Sequence, residues 1–234
     1  MKRILLMVIK NIVLVPWMWI KLCYHAKHTE KYTEEEQYKM LRFITLHANK
    51  GGNVKIDVHG AENLPKDNGF MFFPNHQGLY DVLAIIEACP RPFSVVAKKE
   101  IANIQFLKQV FACMKAYMLD REDVRQAMQV IVHVTEEVKR GRNYLIFAEG
   151  TRSKNGNKVG EFKGGSFKSA TKAKCPIVPV ALIDSFKPFD TNTVNPVTVQ
   201  VHFLEPIYYE EYQTMKTTEI AAEVKCRIQK VINE

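Results

Sequence analysis

The sequence predicts an α/β fold: a largely parallel or mixed central sheet flanked by helices, with an N-terminal hydrophobic and amphipathic helical segment suited to anchoring on a membrane. Three observations carry this prediction. From residue 54 onward, short apolar runs alternate with helix-length amphipathic stretches, the pattern of strands joined by helical crossovers. Charged motifs follow several of the apolar runs directly, at the strand ends where loops of such folds carry chemistry. Residues 4–20 are almost wholly apolar and flanked by Lys2-Arg3 and Lys21.

The N-terminal stretch is interrupted by Lys10-Asn11 and Pro16. Trp17, Trp19 and Lys21 stand where a signal peptide would carry a small-residue cleavage site. A membrane span wants about 20 clean apolar residues, so the segment is short for one. Tryptophans beside lysines suit the lipid interface, which implies a shallow or barely spanning anchor; a buried core helix is the competing reading. The expected division is residues 1–50 as a helical membrane-association segment and 51–234 as the α/β domain.

Thr33 and the acidic turn Glu34, Glu35, Glu36 open a helix whose apolar face is Tyr38, Leu41, Ile44 and Ala48, stopped by Gly51-Gly52. Val54, Ile56 and Val58 alternate as a half-buried strand. Apolar runs at 70–73, 93–97, 116–119, 144–148, 177–182 and 197–203 read as further strands. Helices are expected at 79–88, 104–114, 123–140, 167–173 and 217–231. In the third of these, Ala127, Val130, Ile131, Val134 and Val138 form a core stripe.

A net charge of +8 points to an anionic partner: nucleic acid, an anionic lipid surface or a phosphorylated substrate. The basic runs lack a groove-reading motif or stacking aromatics, so no nucleic acid is expected. Five cysteines, scattered and without C-x-x-C spacing, read as reduced thiols. No metal-ligand pattern occurs, and no structural metal or cofactor is expected.

The candidate chemistry begins with Asn75-His76-Gln77-Gly78-Leu79-Tyr80-Asp81, bounded by apolar sequence on both sides. An imidazole titrates near neutral pH, and a carboxylate can fix its tautomer. Residues five apart on a regular helix diverge by about 140°, so His76 and Asp81 meet only if the helix begins between them or the backbone bends at Gly78. The competing reading is a surface histidine beside an aspartate that suits a helix N-terminus.

Glu149-Gly150-Thr151-Arg152-Ser153 delivers a carboxylate, a glycine, a hydroxyl and a guanidinium after a strand. Arg152 offers a fork for two phosphate oxygens, and Gly150 admits backbone N–H groups to an anion; a polar turn in which Arg152 pairs with Glu149 is the alternative. Lys98 and Arg121 also follow apolar runs, so the strand ends look like one anion-binding rim. Gly164-Gly165-Ser166-Phe167-Lys168 lacks the second flanking glycine of a nucleophile elbow, and Gly160 to Ser166 lacks the lysine of a P-loop.

These blocks resemble the glycerophospholipid acyltransferases, especially the bacterial 1-acyl-sn-glycerol-3-phosphate acyltransferases. Asn75 to Asp81 is similar to their N-H-x4-D block and Glu149 to Ser153 to their E-G-T-R-S block. Leu119-Asp120-Arg121 resembles the block between, and Ile177-Val178-Pro179-Val180 the downstream V-P-V segment. Order and spacing agree over about residues 54–207. Lys115 departs from the family, standing where the intermediate block usually has glycine.

The resemblance implies acyl transfer from an acyl-carrier protein or coenzyme A thioester to lysophosphatidic acid, giving phosphatidic acid. His76 would be the general base and Asp81 its orienter. Glu149, Gly150, Thr151 and Arg152 would bind the acceptor phosphate, assisted by Arg121 and Lys98. Such an enzyme works at a lipid surface, here the cytoplasmic face of the cell membrane. The alternatives are another acceptor, such as glycerol 3-phosphate or a lyso-aminolipid, and a non-catalytic membrane-binding protein.

Overall fold

The computed structural model describes residues 2–120 and 123–234. Two N-terminal helices, α1 (Lys2–Lys10) and α2 (Val15–Lys27), precede α3 (Glu34–Gly51). The strands are β1 (Val54–His59), β2 (Met71–Pro74), β3 (Ser94–Lys98), β4 (Tyr117–Leu119), β5 (Tyr144–Leu145), β6 (Ile177–Ile183) and β7 (Val197–Phe203). Interleaved with them are α4 (Asp81–Ala88), α5 (Gln105–Cys113), α6 (Val124–Lys139), α7 (Lys168–Ala173) and α8 (Lys187–Asp190). Helices α9 (Tyr209–Tyr212) and α10 (Thr217–Asn233) close the chain.

Among the described residues the strands form one sheet in the order β1-β7-β6-β2-β5-β3-β4. The five strands from β6 to β4 are mutually parallel; β7 runs antiparallel to β6 and parallel to β1. The sheet is therefore mixed, and its parallel half sends five strand ends to one edge.

Both faces are covered, which is why the central strands are apolar at every position. Phe70 and Phe72 point into one core with Tyr38, Leu41, Ile85, Ile86, Val110 and Phe111 from α3, α4 and α5. Met71 and Phe73 point into the other with Val134, Val138, Ala170, Val224 and Ile228 from α6, α7 and α10. The stripe expected on α6 is real: Val130, Val134 and Val138 are buried.

Helix ends follow local chemistry. Thr33 and Glu36 form a reciprocal capping box on α3, with Thr33 N–H donating to Glu36 Oε2 at 2.8 Å. Asp123 caps α6 by accepting from the N–H groups of Arg125 and Gln126. Lys115, the departure from family glycine, lies just past α5 at φ 50°. That is the left-handed position where a helix favours glycine, so the departure bears on a helix stop.

One expectation is corrected here. The strand predicted at 144–148 pairs only over Tyr144–Leu145, because the chain turns away: Gly150 N–H donates to Phe147 O at 3.1 Å. The N-terminal apolar stretch breaks where Lys10-Asn11 interrupts it, and α1 and α2 meet at a bend of 101°. No single helix among the described residues is long and apolar enough to cross a membrane. Arg3, expected as a flanking charge, is buried, and its guanidinium donates to Gly52 O at 2.6 Å and Asn195 O at 2.9 Å. Met7 and Leu22 join the core beneath α3. The opposite surface of the pair leaves Leu5, Ile9, Ile12, Val13, Trp17 and Ile20 exposed.

Candidate active site

Strand β2 ends at Pro74 and α4 begins at Asp81, so the helix starts between the two motif residues as their spacing required. His76 Nδ1 lies 2.7 Å from Asp81 Oδ2. A carboxylate only accepts, so Nδ1 carries the proton and Nε2 is the ring's acceptor. Gly78 does not adopt a left-handed backbone; the turn is closed by Asp81, whose carboxylate accepts from the N–H groups of Gln77 at 2.7 Å and Gly78 at 3.0 Å. Tyr80 fixes the helix start by donating from its buried hydroxyl to Asn49 Oδ1 at 2.6 Å.

Asp81 is fully buried and takes one more bond, from Ser185 Oγ to Oδ1 at 2.7 Å. Ser185 follows β6, one strand over. Gln77 links the same two loops: its Oε1 accepts from Ser185 N–H at 2.7 Å, and its Nε2 donates to Leu182 O and Asn157 Oδ1. Asn75 extends the β6 ladder, exchanging bonds with the Leu182 backbone. Neither Ser185 nor Gln77 was singled out from sequence, since a serine after an apolar strand and a motif-internal glutamine carry no signal of their own.

Glu149 departs from the expected phosphate contact. It is buried, and its two oxygens accept from the N–H groups of His76 at 2.7 Å and Gly160 at 3.0 Å. A carboxylate satisfied in this way holds loops together and would repel a phosphate. Burial pushes its carboxyl pKa up, with the two N–H donors pulling the other way. Ser153 N–H donates to His76 O at 2.7 Å, a second tie between the loops. Any side chain at Gly160 would strike the Glu149 carboxylate, at 2.3 Å.

The cations gather nearby. Gly150 is left-handed at φ 72°, which glycine alone adopts without strain, and Thr151 and Arg152 project exposed beside it. Lys163, missed in the sequence because it lies 14 residues past Glu149, comes within 3.2 Å of where a Gly150 side chain would start. Lys98 ends β3, paired with Glu100 at 3.0 Å. Arg121 lies outside the described residues.

Between Lys98 and His76 opens a narrow apolar pocket of about 70 Å³, lined by Leu79, Val82, Ala97, Ile101 and Val110 among others. Phe147 stacks on the His76 ring, with centroids 3.9 Å apart. The arrangement can therefore accept a proton at Nε2 beside an apolar slot, with Arg152, Lys163 and Lys98 supplying positive charge nearby.

The chain is similar to known acyltransferases. A family model described as Acyltransferase matches residues 55–183. The chain is 31% identical over 172 residues to the 1-acyl-sn-glycerol-3-phosphate acyltransferase of Borreliella burgdorferi, covering 71% of this chain and 68% of that protein. It is 30% identical to the enzyme of that name from Salmonella typhimurium, over 77% of this chain and 74% of that one. The crystal structure of the 1-acyl-sn-glycerophosphate acyltransferase PlsC from Thermotoga maritima has the same fold, with a TM-score of 0.77, 21% identity, and coverage of 99% of this chain and 96% of that one. The histidine–aspartate pair, the loop pinned by Glu149 and the strand that supplies Ser185 all lie at or next to the matched region, and the chain belongs to the acyltransferase family.

Proposed function

We propose that the protein moves a fatty acyl group from a thioester to the sn-2 hydroxyl of lysophosphatidic acid at a membrane surface, with His76 as general base. The observation that carries this reading is the 2.7 Å contact between His76 Nδ1 and the buried Asp81 carboxylate. It leaves Nε2 to take the acceptor's hydroxyl proton. The hydroxyl oxygen then adds to the thioester carbonyl, the C–S bond breaks, and the imidazolium returns its proton to the departing sulfur. Asp81 supports the imidazolium through Nδ1–H. No covalent acyl-enzyme is required.

Arg152 receives the acceptor phosphate, with Gly150, Thr151, Arg121 and Lys98 contributing; the buried Glu149 supports that loop from behind. The slot at His76 has room for a few methylene-sized groups and takes the thioester end of the acyl chain. The donor is a soluble acyl-carrier protein or coenzyme A thioester, and the exposed apolar surface of α1 and α2 rests on the cytoplasmic leaflet. The relatives bearing the lysophosphatidate name support the acceptor.

The test is an acceptor panel with labelled acyl thioesters of both carriers. Lysophosphatidic acid is expected to be acylated. His76→Ala should lower turnover by about 10²–10⁴-fold or more while circular dichroism stays unchanged. Arg152→Met should raise the KM for lysophosphatidic acid and leave the reaction with monoacylglycerol untouched. Acylation of phosphate-free acceptors alone would remove Arg152 from its role.

A further inference from the structure

We infer that the cleft between α2 and α3 binds a single anionic phospholipid at a site separate from the catalytic pocket. The cleft encloses about 630 Å³, a volume typical of sites for lipid-sized ligands, and shares no lining residue with the pocket at His76. Buried Met18 and Met40 line it, beside the buried His25. Its wall is aromatic: Trp17 and Phe43 meet edge to face at 5.7 Å and are 48% and 37% exposed. An alkyl chain lying against them would remove that surface from water.

Two cations line the cleft between its Trp17–Phe43 end and its His25 end. Lys21 Nζ sits 4.8 Å from the centre of the Trp17 ring, and Lys39 stands on α3. Among the described residues neither ammonium has a carboxylate within ion-pair distance. Glu36, the one carboxylate lining the cleft, is engaged by the backbone and hydroxyl of Thr33. An apolar trough with cations along it complements an alkyl chain joined to a phosphate. Trp17 also belongs to the exposed apolar surface of α1 and α2, so a lipid in the cleft can stay part of the bilayer on which that surface rests. The inference depends on the membrane-surface reading above and is independent of acyl transfer.

The test uses the chain's two tryptophans, Trp17 and Trp19. In a Trp19→Phe protein, Trp17 alone reports. Two vesicle preparations carry the same mixture of phosphatidylcholine and phosphatidylglycerol, with brominated chains on one lipid only. Surface charge is then constant. Stronger quenching by brominated phosphatidylglycerol is expected, and loss of that preference in a folded Lys21→Gln/Lys39→Gln variant, with vesicle affinity falling about fivefold per lysine. Equal quenching by both lipids, in a protein that sediments with the vesicles, overturns the site. Failure to sediment with either preparation overturns the membrane reading along with it, while the acceptor panel judges acyl transfer separately.

Discussion

Asp81 accepts from three groups besides the imidazole, and each donor draws charge away from the face it presents to His76. Removing the Ser185 hydroxyl returns some of that charge. Ser185→Ala also frees the Asp81 carboxylate to turn, so it is expected to lower kcat with KM little changed, and Ser185→Thr to restore it. An unchanged kcat in folded Ser185→Ala protein would mean that the hydroxyl only fills space. Glu149 makes a different prediction. Its folded-state pKa lies above the unfolded value, so its contribution to stability is full below the unfolded pKa and is lost as pH rises through the folded one. Glu149→Gln should flatten that slope in urea unfolding across the acidic range. Because an amide offers one acceptor where two N–H groups need partners, it should also cost about 1–3 kcal/mol and loosen the His76 loop, lowering activity. The five-residue spacing showed only that His76 and Asp81 meet if a helix begins between them, and the resemblance of the two blocks is what implied their pairing. The inward turn of Glu149 was not legible, since strand–loop sequence does not say which way a carboxylate faces.

At the scale of elements, periodicity located each strand and helices α3, α4, α5, α6, α7 and α10 but not the short α8 and α9, and the acidic first turn of α3 was read from Thr33 and the glutamates after it. The interruption of the N-terminal stretch at Lys10-Asn11 was legible, but composition does not report the angle of a bend. Asn11 closes it: its side-chain amide donates to Met7 O at 2.8 Å and His47 O at 3.0 Å, fastening the corner to α3. The bend turns a short apolar run into two helices with one face packed and the other bare. Ile12, Val13 and Ile20 are 65%, 86% and 69% exposed, so changing them touches little of the core. An Ile12→Ser/Val13→Ser/Ile20→Ser protein should lose vesicle association in sedimentation while keeping turnover on detergent-dispersed acceptor. Retained association would place the lipid contact elsewhere.

Across the whole molecule, α1 to α3 share a core with the sheet: Met7, Leu22, Tyr38 and Leu41 lie in the cluster that holds Phe72 and Val180. Arg3 reaches across to the loop before β7. Deleting residues 1–27 is thus expected to lower the midpoint of thermal unfolding sharply and to expose the face of α3, giving an aggregation-prone protein; an unchanged midpoint would show that the segment is dispensable to the fold. The sequence by itself determined the alternation of strands and helices, the two motif blocks and their family, because hydrophobic period and local spacing are properties of short segments. Only the tertiary structure decided that β7 reverses against β6, that Ser185 and Glu149 support His76 from neighbouring loops, and that Lys163 joins the cations at Gly150. Those contacts join residues far apart in the chain, and it is the order of strands in the sheet that brings them together.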